Sequence, residues 1–503
     1  MGKGFLTKSR YVNGLQCSKW IWLSFNDPSK LPKVDDATQH RFNEGHQVGE
    51  LAKSLFPKGI EPKEQLNHIE NDKESRELLK KRKPLFEAGF IDKGGKCYAR
   101  GDILVPVDGD KWDIYEVKSS TEVKEEYIWD VAFQKHCYES AGLKIRNCFV
   151  MHINNEYVRQ GKIETRQFFV RAEITHEVDE EIKKVKGNIE KLFKIIALKE
   201  APQISPGNQC CLGSDNKERF EEIHENDTFW KEHPECDIFD LYRGGKRALE
   251  LFNEGVLEIG CLDGIKLNDK QQIQHKTHKS GKHHCDVGEL KLFMNKLKYP
   301  LYFLDFESYN TAIPLYNGLK PYQQIPFQFS LHIIKKKGAK PEHISFIASG
   351  SDDPRPEFLK ALKKGLGTKG SVIVYNQTFE QTVLKKLAEY YPLYQKWVDS
   401  VVERMVDLLI PFRNFAYYHP KQHGSASIKK VLPVLTGQTY ENFEIANGSD
   451  ASLSYLFITH GSYEGEKATS EEIKKVRGDL EKYCGLDTEG MVWILDKLRD
   501  MVK

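Results

Sequence analysis

The chain reads as two α/β domains in succession, and three observations predict it. Its 503 residues exceed what one hydrophobic core normally organises. A strand–strand–helix–strand order runs through ARGDILVPV, KWDIYEVK, EEYIWDVAFQKHCYESAG and CFVMHI. A second set of strands begins at YPLYFLDFES, continues through FQFSLHII, HISFIAS and SVIVYN, and is followed by long helical segments. Strands interleaved with helices in this way form layered α/β cores.

Taken in order, residues 1–100 read as helices and loops. There QHRFNEGHQVGELAKSLF spaces Phe42, Val48, Leu51 and Leu55 as the apolar face of an amphipathic helix. Asp108, Gly109 and Asp110 supply the turn between the next two strands, and KWDIYEVK alternates as a half-buried strand does. The helix after it stops near Gly142, where a C-cap glycine would sit. Residues 178–295 are charged, helical at VDEEIKKVKGNIEKLFKIIAL, and rich in His, Cys and Gly elsewhere, which fits the end of one domain and a connector. The expected division is therefore 1–245, a connector at 246–295, and 296–503. TFEQTVLKKLAEYYP and SEEIKKVRGDLEKYCGLDTEGMVWILDKLRDMV read as helices of the second domain, and no repeat of fixed period is present.

Composition narrows the class. With 39% hydrophobic and 29% charged residues the chain is an ordinary globular one, and a net charge of +2 excludes binding of polyanions by bulk charge alone. Any phosphate contact must come from local patches. No run of 18 apolar residues occurs, and MGKGFLTKSR leads into an amphipathic segment rather than an apolar signal core, so a cytoplasmic protein without membrane partners is expected. The ten cysteines are scattered, which predicts reduced thiols.

Two acidic constellations carry the chemistry. In GDILVPVDGDKWDIYEVK, Glu116 and Lys118 are two apart on one strand and share a face, with Val117 turned to the core and Asp102 on the preceding strand able to join them. Two carboxylates suit a hard cation such as Mg²⁺ or Mn²⁺, and a neighbouring lysine can orient or deprotonate a water and offset phosphorane charge. The next helix adds Asp130, Gln134 and Tyr138 at i,i+4 spacing. In LYFLDFE, Asp305 and Glu307 again share a strand face, and Tyr483 and Asp487 are four apart on a helix.

The pattern D…EVK followed by QxxxY resembles the RecB-like PD-(D/E)xK nucleases, including the CRISPR-associated members. The resemblance implies a restriction-endonuclease-like fold with Asp102 and Glu116 as metal ligands, Lys118 as the catalytic lysine, and Gln134 and Tyr138 supporting the site. Relatives carry an upstream histidine ligand in a GxxxH arrangement; here Gly45 is followed four residues later by Gly49, with His46 displaced. Some relatives also hold an iron–sulfur cluster, and Cys17, Cys210, Cys211 and Cys236 fall where its ligands would lie, although the adjacent pair Cys210-Cys211 breaks the usual spacing.

The D-x-E plus Y-x-x-x-D set resembles the DEDD exonucleases of the RNase H-like fold, such as proofreading subunits of DNA polymerases. It implies metal held by Asp305, Glu307, Glu380 and Asp487, with Tyr483 orienting water. Glu380, in VIVYNQTFEQ after Asn376, stands where the family usually has Asp, and Asp407 is a second acidic candidate nearby. PYQQIPFQFSLHI, GSASIKKVLPVL and ANGSDASLSYL, with GLQCSKWIWL and YEVKSSTEVK, resemble an uncharacterised bacterial family that joins the two nuclease types. Together these resemblances imply a metal-dependent nuclease acting on DNA ahead of RNA. The competing expectation is a nucleic-acid-binding or scaffold protein whose sites have decayed.

Two other segments bear on binding. His275, His278, His283, His284 and Cys285 in QHKTHKSGKHHC do not follow zinc-site spacing, so a solvated basic loop touching phosphate is expected. NFAYYHPKQHG places Tyr417, Tyr418, His419 and Lys421 together, a set suited to base stacking or to a core.

Overall fold

The computed structural model describes residues 4–203, 232–233, 235–440 and 443–503. The chain divides into two compact units, Met1–Pro234 with Thr311–Tyr322, and Glu235–Asn310 with Gln323–Lys503. Each is mixed α/β. The boundary lies at 234/235 rather than 245, and residues 246–295 are part of the second unit rather than a connector. Their apolar side chains explain this: Leu251, Ile259 and Leu262 are buried with Ile238 and Leu241 in a cluster of their own. Residues 311–322 belong to the first unit because Ala312 and Tyr322 pack with Val48, Phe86 and Ile103. Arg159 Nη1 fixes the segment by donating to the carbonyls of Pro314 (2.6 Å) and Leu315 (2.7 Å).

The first unit's sheet contains β1 (Leu6–Thr7), β2 (Leu85–Ile91), β3 (Cys97–Pro106), β4 (Lys111–Lys118), β5 (Lys144–Ile153) and β6 (Phe169–Glu173). The order is β1-β3-β4-β5-β6, with β2 added to β3. Strands β2, β3 and β4 are antiparallel neighbours, and β4 and β5 are parallel. A parallel pair needs a crossover, which the helix Glu125–Ser140 supplies. Gly109 takes φ +65° in the β3–β4 turn, as its sequence context predicts.

Two expectations for residues 1–100 are corrected. LFEAGFI is the strand β2, missed because Glu87 sits at φ +50° and breaks the two-residue period. In the helix Asp36–Lys53, Val48 is buried, but Phe42 is 46% exposed and lies off the apolar face.

The second unit contains β7 (His284–Cys285), β8 (Leu301–Tyr309), β9 (Ile325–Ile334), β10 (Glu342–Ile347), β11 (Ser371–Val374), β12 (Met405–Asp407) and β13 (Tyr417–Tyr418). The main sheet runs β10-β9-β8-β11-β12, while β13 pairs with β7. Its first three strands are antiparallel and β8, β11 and β12 are parallel. Helices Arg355–Gly365 and then Thr378–Tyr390 with Gln395–Glu403 make the crossovers. One sheet face packs Leu304, Phe306, Phe329 and Leu331 against Phe358 and Leu384.

The helix Ser470–Met501 covers the opposite face. It begins in a capping box of Thr469 and Glu472 and is seated by buried polar contacts from β9. Gln328 Nε2 donates to Leu480 O (2.8 Å), and Ser330 Oγ and His332 Nδ1 bond Thr488 Oγ1 at 2.7 and 2.8 Å. Burial, reinforced by His343, pushes His332 down to about 4, so it bonds Thr488 as a neutral imidazole. Among the described residues no helix is long and apolar enough to cross a membrane.

Candidate active sites

In the first unit, β3, β4 and the helix Glu125–Ser140 bring Asp102, Glu116, Lys118 and Gln134 together. Glu116 is 2% exposed. Its Oε1 accepts from Lys118 Nζ (2.8 Å) and its Oε2 from Gln134 Nε2 (2.6 Å). Lys118 also donates to Asp130 Oδ2 (2.7 Å), so the i,i+4 stripe of the helix does face the strand pair. Asp102 Oδ2 takes the backbone N–H of Val117 (2.7 Å), doing the work of a strand carbonyl where β3–β4 pairing ends. Tyr138 lies one turn further along, its hydroxyl donating to Ala88 O at 2.9 Å.

Gly101 makes this packing possible. A Cβ there would stand 2.5 Å from Tyr138 Oη and 2.7 Å from Gln134 Oε1.

The sequence reading missed Lys8. At the start of the helix Lys8–Gln16, it donates to Glu116 Oε1 at 2.7 Å and lies 3.8 Å from Asp130 Oδ1. Its neighbours FLTKS carry no spacing signal that links residue 8 to residue 116, and only the fold brings them together. Three carboxylates, Asp102, Glu116 and Asp130, thus meet two ammonium groups. Burial disfavours charge on Lys8 and Lys118, but Asp130, Glu116 and Asp102 outweigh it and hold both well above the ordinary lysine range. Lys118 is thus held as a cation between Glu116 and Asp130. A cavity of about 560 Å³ opens here, lined by Lys8, Lys118, Asp130, Trp20, Phe42 and Tyr127.

In the second unit the charge pattern is the opposite. Asp305 and Glu307 project from β8 on one face, Tyr483, Cys484 and Asp487 from the helix Ser470–Met501, and Glu380 from the first turn of Thr378–Tyr390. Glu307, Glu380 and Asp487 are buried. Asp305 is pushed well above the carboxylate range by burial and then by Asp487, Glu307 and Glu380. Burial and then Asp487 raise Glu307 to about 8, with Lys429 opposing. Burial, aided by Asp407, raises Glu380 to about 8. Burial lifts Asp487 to about 6 against the pull of the Tyr440 hydrogen bond and Lys429.

A cation placed among these carboxylates would relieve both burial and mutual repulsion, so the donor set fits a divalent metal. Asp305, Glu307 and Cys484 each offer a donor atom within 4.8 Å of the other two.

Asp407 is structural. Its Oδ1 accepts from Asn376 N (2.9 Å) and Leu409 N (3.0 Å), pinning the turn where Asn376 adopts φ +74° before the Glu380 helix. Tyr440 donates to Asp487 Oδ1 at 2.6 Å. Burial and then Asp487, Glu307 and Asp305 raise Tyr483, keeping it a neutral phenol beside the carboxylates. Lys429 Nζ sits 5.7 Å from the ring centres of both Tyr440 and Tyr483. A cavity of about 690 Å³ opens beside them, lined by Lys421, His423, Lys429, Lys430 and Tyr440. Lys429, Tyr440 and Cys484 escaped the sequence reading because none repeats at a spacing that ties it to Asp305.

His46 is exposed on the helix Asp36–Lys53, one turn after Phe42, which lines the cavity at the first unit's acidic group. Cys17 is buried in the first unit, its Sγ accepting from Trp20 N (3.3 Å) as a helix cap; Cys236 is half-buried in the second unit. Cys210 and Cys211 lie outside the described residues.

The expected basic loop is largely the helix Asp269–Ser280. Its His278 bonds Asp237 Oδ2 (2.6 Å) and Tyr418 Oη (3.1 Å), and His275 bonds Ile259 O (2.9 Å). Tyr417 and Tyr418 are buried core residues, which excludes them from stacking on bases.

Comparison with known proteins leaves the activity open. Residues 302–427 match the family described as a domain of unknown function, DUF2779. The stretch includes β8 with Asp305 and Glu307, and Glu380. An uncharacterised protein of Mycoplasma genitalium is 28% identical over 229 residues, which is 42% of this chain and 33% of that protein. An uncharacterised protein of Ureaplasma parvum is 28% identical over 228 residues, 41% of this chain and 33% of its own length. The chain thus spans about a third of the length of these curated relatives.

Proposed function

We propose that the chain is a metal-dependent nuclease that hydrolyses phosphodiester bonds, in DNA ahead of RNA, with the second unit as its principal active site. The observation that carries this reading is the gathering of Asp305, Glu307, Glu380 and Asp487 about one centre, where Asp487 raises the proton affinity of both Asp305 and Glu307, and Glu307 and Glu380 raise that of Asp305. Such a cluster suits Mg²⁺ or Mn²⁺, which when bound would polarise a phosphoryl oxygen and lower the pKa of a water. The chain's own residues have separate tasks. Asp305, Glu307, Glu380 and Asp487 would hold the metal, Tyr440 fixes one oxygen of Asp487, and the neutral Tyr483 phenol orients water by hydrogen bonding.

Lys429, Lys430 and Lys421 line the adjoining cavity and would take the phosphates of the strand. The strand order, in which three antiparallel strands lead into two parallel ones as 3-2-1-4-5, supports an RNase H-like reading of this unit.

The first unit supports a PD-(D/E)xK reading through its antiparallel strands, crossover helix and Asp102/Glu116/Lys118/Gln134 set. Lys8 favours the second reading for this unit, a nucleic-acid-binding module with a decayed site, because its ammonium already occupies Glu116 where a cation would bind. Cleavage of end-labelled single- and double-stranded DNA and RNA with Mg²⁺ or Mn²⁺ tests both readings, comparing wild type with Asp305→Ala and Lys118→Ala. Loss of all cutting in Asp305→Ala with retention in Lys118→Ala supports one active centre. Binding without cutting by the wild type under every condition overturns the nuclease reading.

A further inference from the structure

Cys484 gives the second unit's centre a donor that an all-carboxylate site lacks. The thiol follows Tyr483 on the helix Ser470–Met501, is 0% exposed, and donates to Asp305 Oδ2 across 3.6 Å. Its Sγ lies within 4.8 Å of a carboxylate oxygen of both Asp305 and Glu307. An independent feature also points to a ligand. Glu380 is 1% exposed and within electrostatic reach of Asp305, and its Oε2 has no hydrogen-bond partner among the described residues. A buried carboxylate oxygen left without a partner is costly, and a bound cation removes that cost.

Donor chemistry then decides which cation fits. Carboxylates alone suit Mg²⁺, whereas one thiolate among them shifts preference toward borderline ions such as Zn²⁺ and Co²⁺. A tetrahedral ion with about 2.3 Å to sulfur and about 2.1 Å to oxygen sets the donors about 3.6 Å apart. The donor atoms of Asp305, Glu307 and Cys484 lie within 4.8 Å of one another.

Resting on the reading of this centre as a metal site, we infer that it takes a thiolate-tolerant divalent ion of the zinc and cobalt type, with Cys484 Sγ a direct ligand beside Asp305 and Glu307. On binding, the sulfur–metal bond forms and the thiol proton passes to solvent, with no change in oxidation state. The seating of the helix by Thr488 on Ser330 and His332 holds Cys484 in place, so its position does not depend on the ion.

Cobalt titration of the full-length protein tests this, because a thiolate ligand gives a sulfur-to-cobalt charge-transfer band in the near ultraviolet that carboxylates do not. The wild type should show that band with tetrahedral visible bands, and Zn²⁺ should displace Co²⁺ at far lower concentration than Mg²⁺. Cys484→Ser should bind Co²⁺ without the charge-transfer band and at least roughly 10–100-fold more weakly, the range that even outer-shell losses produce. Its affinity for Mg²⁺ should change little. Asp305→Asn should lose the band as well, and circular dichroism of both variants checks folding.

A band that persists in Cys484→Ser, or Co²⁺ binding to the wild type with no band, overturns the thiolate ligand while leaving a metal site in place. Absence of Co²⁺, Mn²⁺ and Mg²⁺ binding to the wild type by calorimetry overturns the metal reading itself.

Discussion

Replacing Glu380 by Gln should make the metal-free protein gain stability relative to the wild type as pH rises. Glu380 is buried, and its carboxyl is raised from 4.5 to about 8 by burial, with Asp407 adding to the effect. A carboxyl with a raised folded-state value favours folding while it is protonated. That contribution is complete below the unfolded value of 4.5 and is lost progressively as pH climbs from 4.5 to about 8. Each unit of separation is worth roughly 1.4 kcal/mol, so between pH 5 and pH 7 the wild type should fall behind Glu380→Gln by about 2–3 kcal/mol.

For a unit of this size that is a growth in the Tm difference of roughly 5–10 °C. The new amide adds a pH-independent offset, so the slope of the difference is the quantity to read. Scanning calorimetry in chelator from pH 5 to 8 measures it, and a repeat with Mn²⁺ should raise the wild type more than the variant, because the ion binds the folded state. A metal-free wild-type Tm that runs parallel to that of Glu380→Gln across this range would refute the argument.

Three further outcomes are expected. Lys8→Met removes a cation from Glu116 Oε1 and should destabilise the first unit by about 2 kcal/mol in urea unfolding. The same change should produce a Mn²⁺-dependent Tm rise that Glu116→Gln abolishes; no such rise would mean that Lys8 does not compete with a metal. Gly101→Ala should cost about 1–3 kcal/mol by driving a methyl against Tyr138 Oη and Gln134 Oε1, and the companion change Tyr138→Phe should recover part of it. His278→Ala leaves Asp237 Oδ2 and Tyr418 Oη without their shared partner and should lower urea stability by about 1–3 kcal/mol without altering metal-induced stabilisation.

The sequence by itself determined the elements and much of each acidic centre. Alternation in KWDIYEVK places Glu116 and Lys118 on one face, the same rule joins Asp305 to Glu307, and the four-residue helical repeat joins Tyr483 to Asp487 and Asp130 to Gln134. These relations are local, so backbone geometry alone sets them. Where the local period fails, so does the reading: the left-handed Glu87 hides β2, and a helix rather than a solvated loop carries His275 and His278.

What only the tertiary structure decided is the charge around each cluster. Lys8 meets Glu116 from 108 positions away and adds a second ammonium to the first centre, while Cys484 meets Asp305 across 179 positions. Contacts of that separation are fixed by sheet order and helix seating, and they leave no periodic mark in the chain. Electrostatic energy falls with distance in space, not along the sequence, so two clusters of similar spelling acquire opposite environments only once the chain has folded.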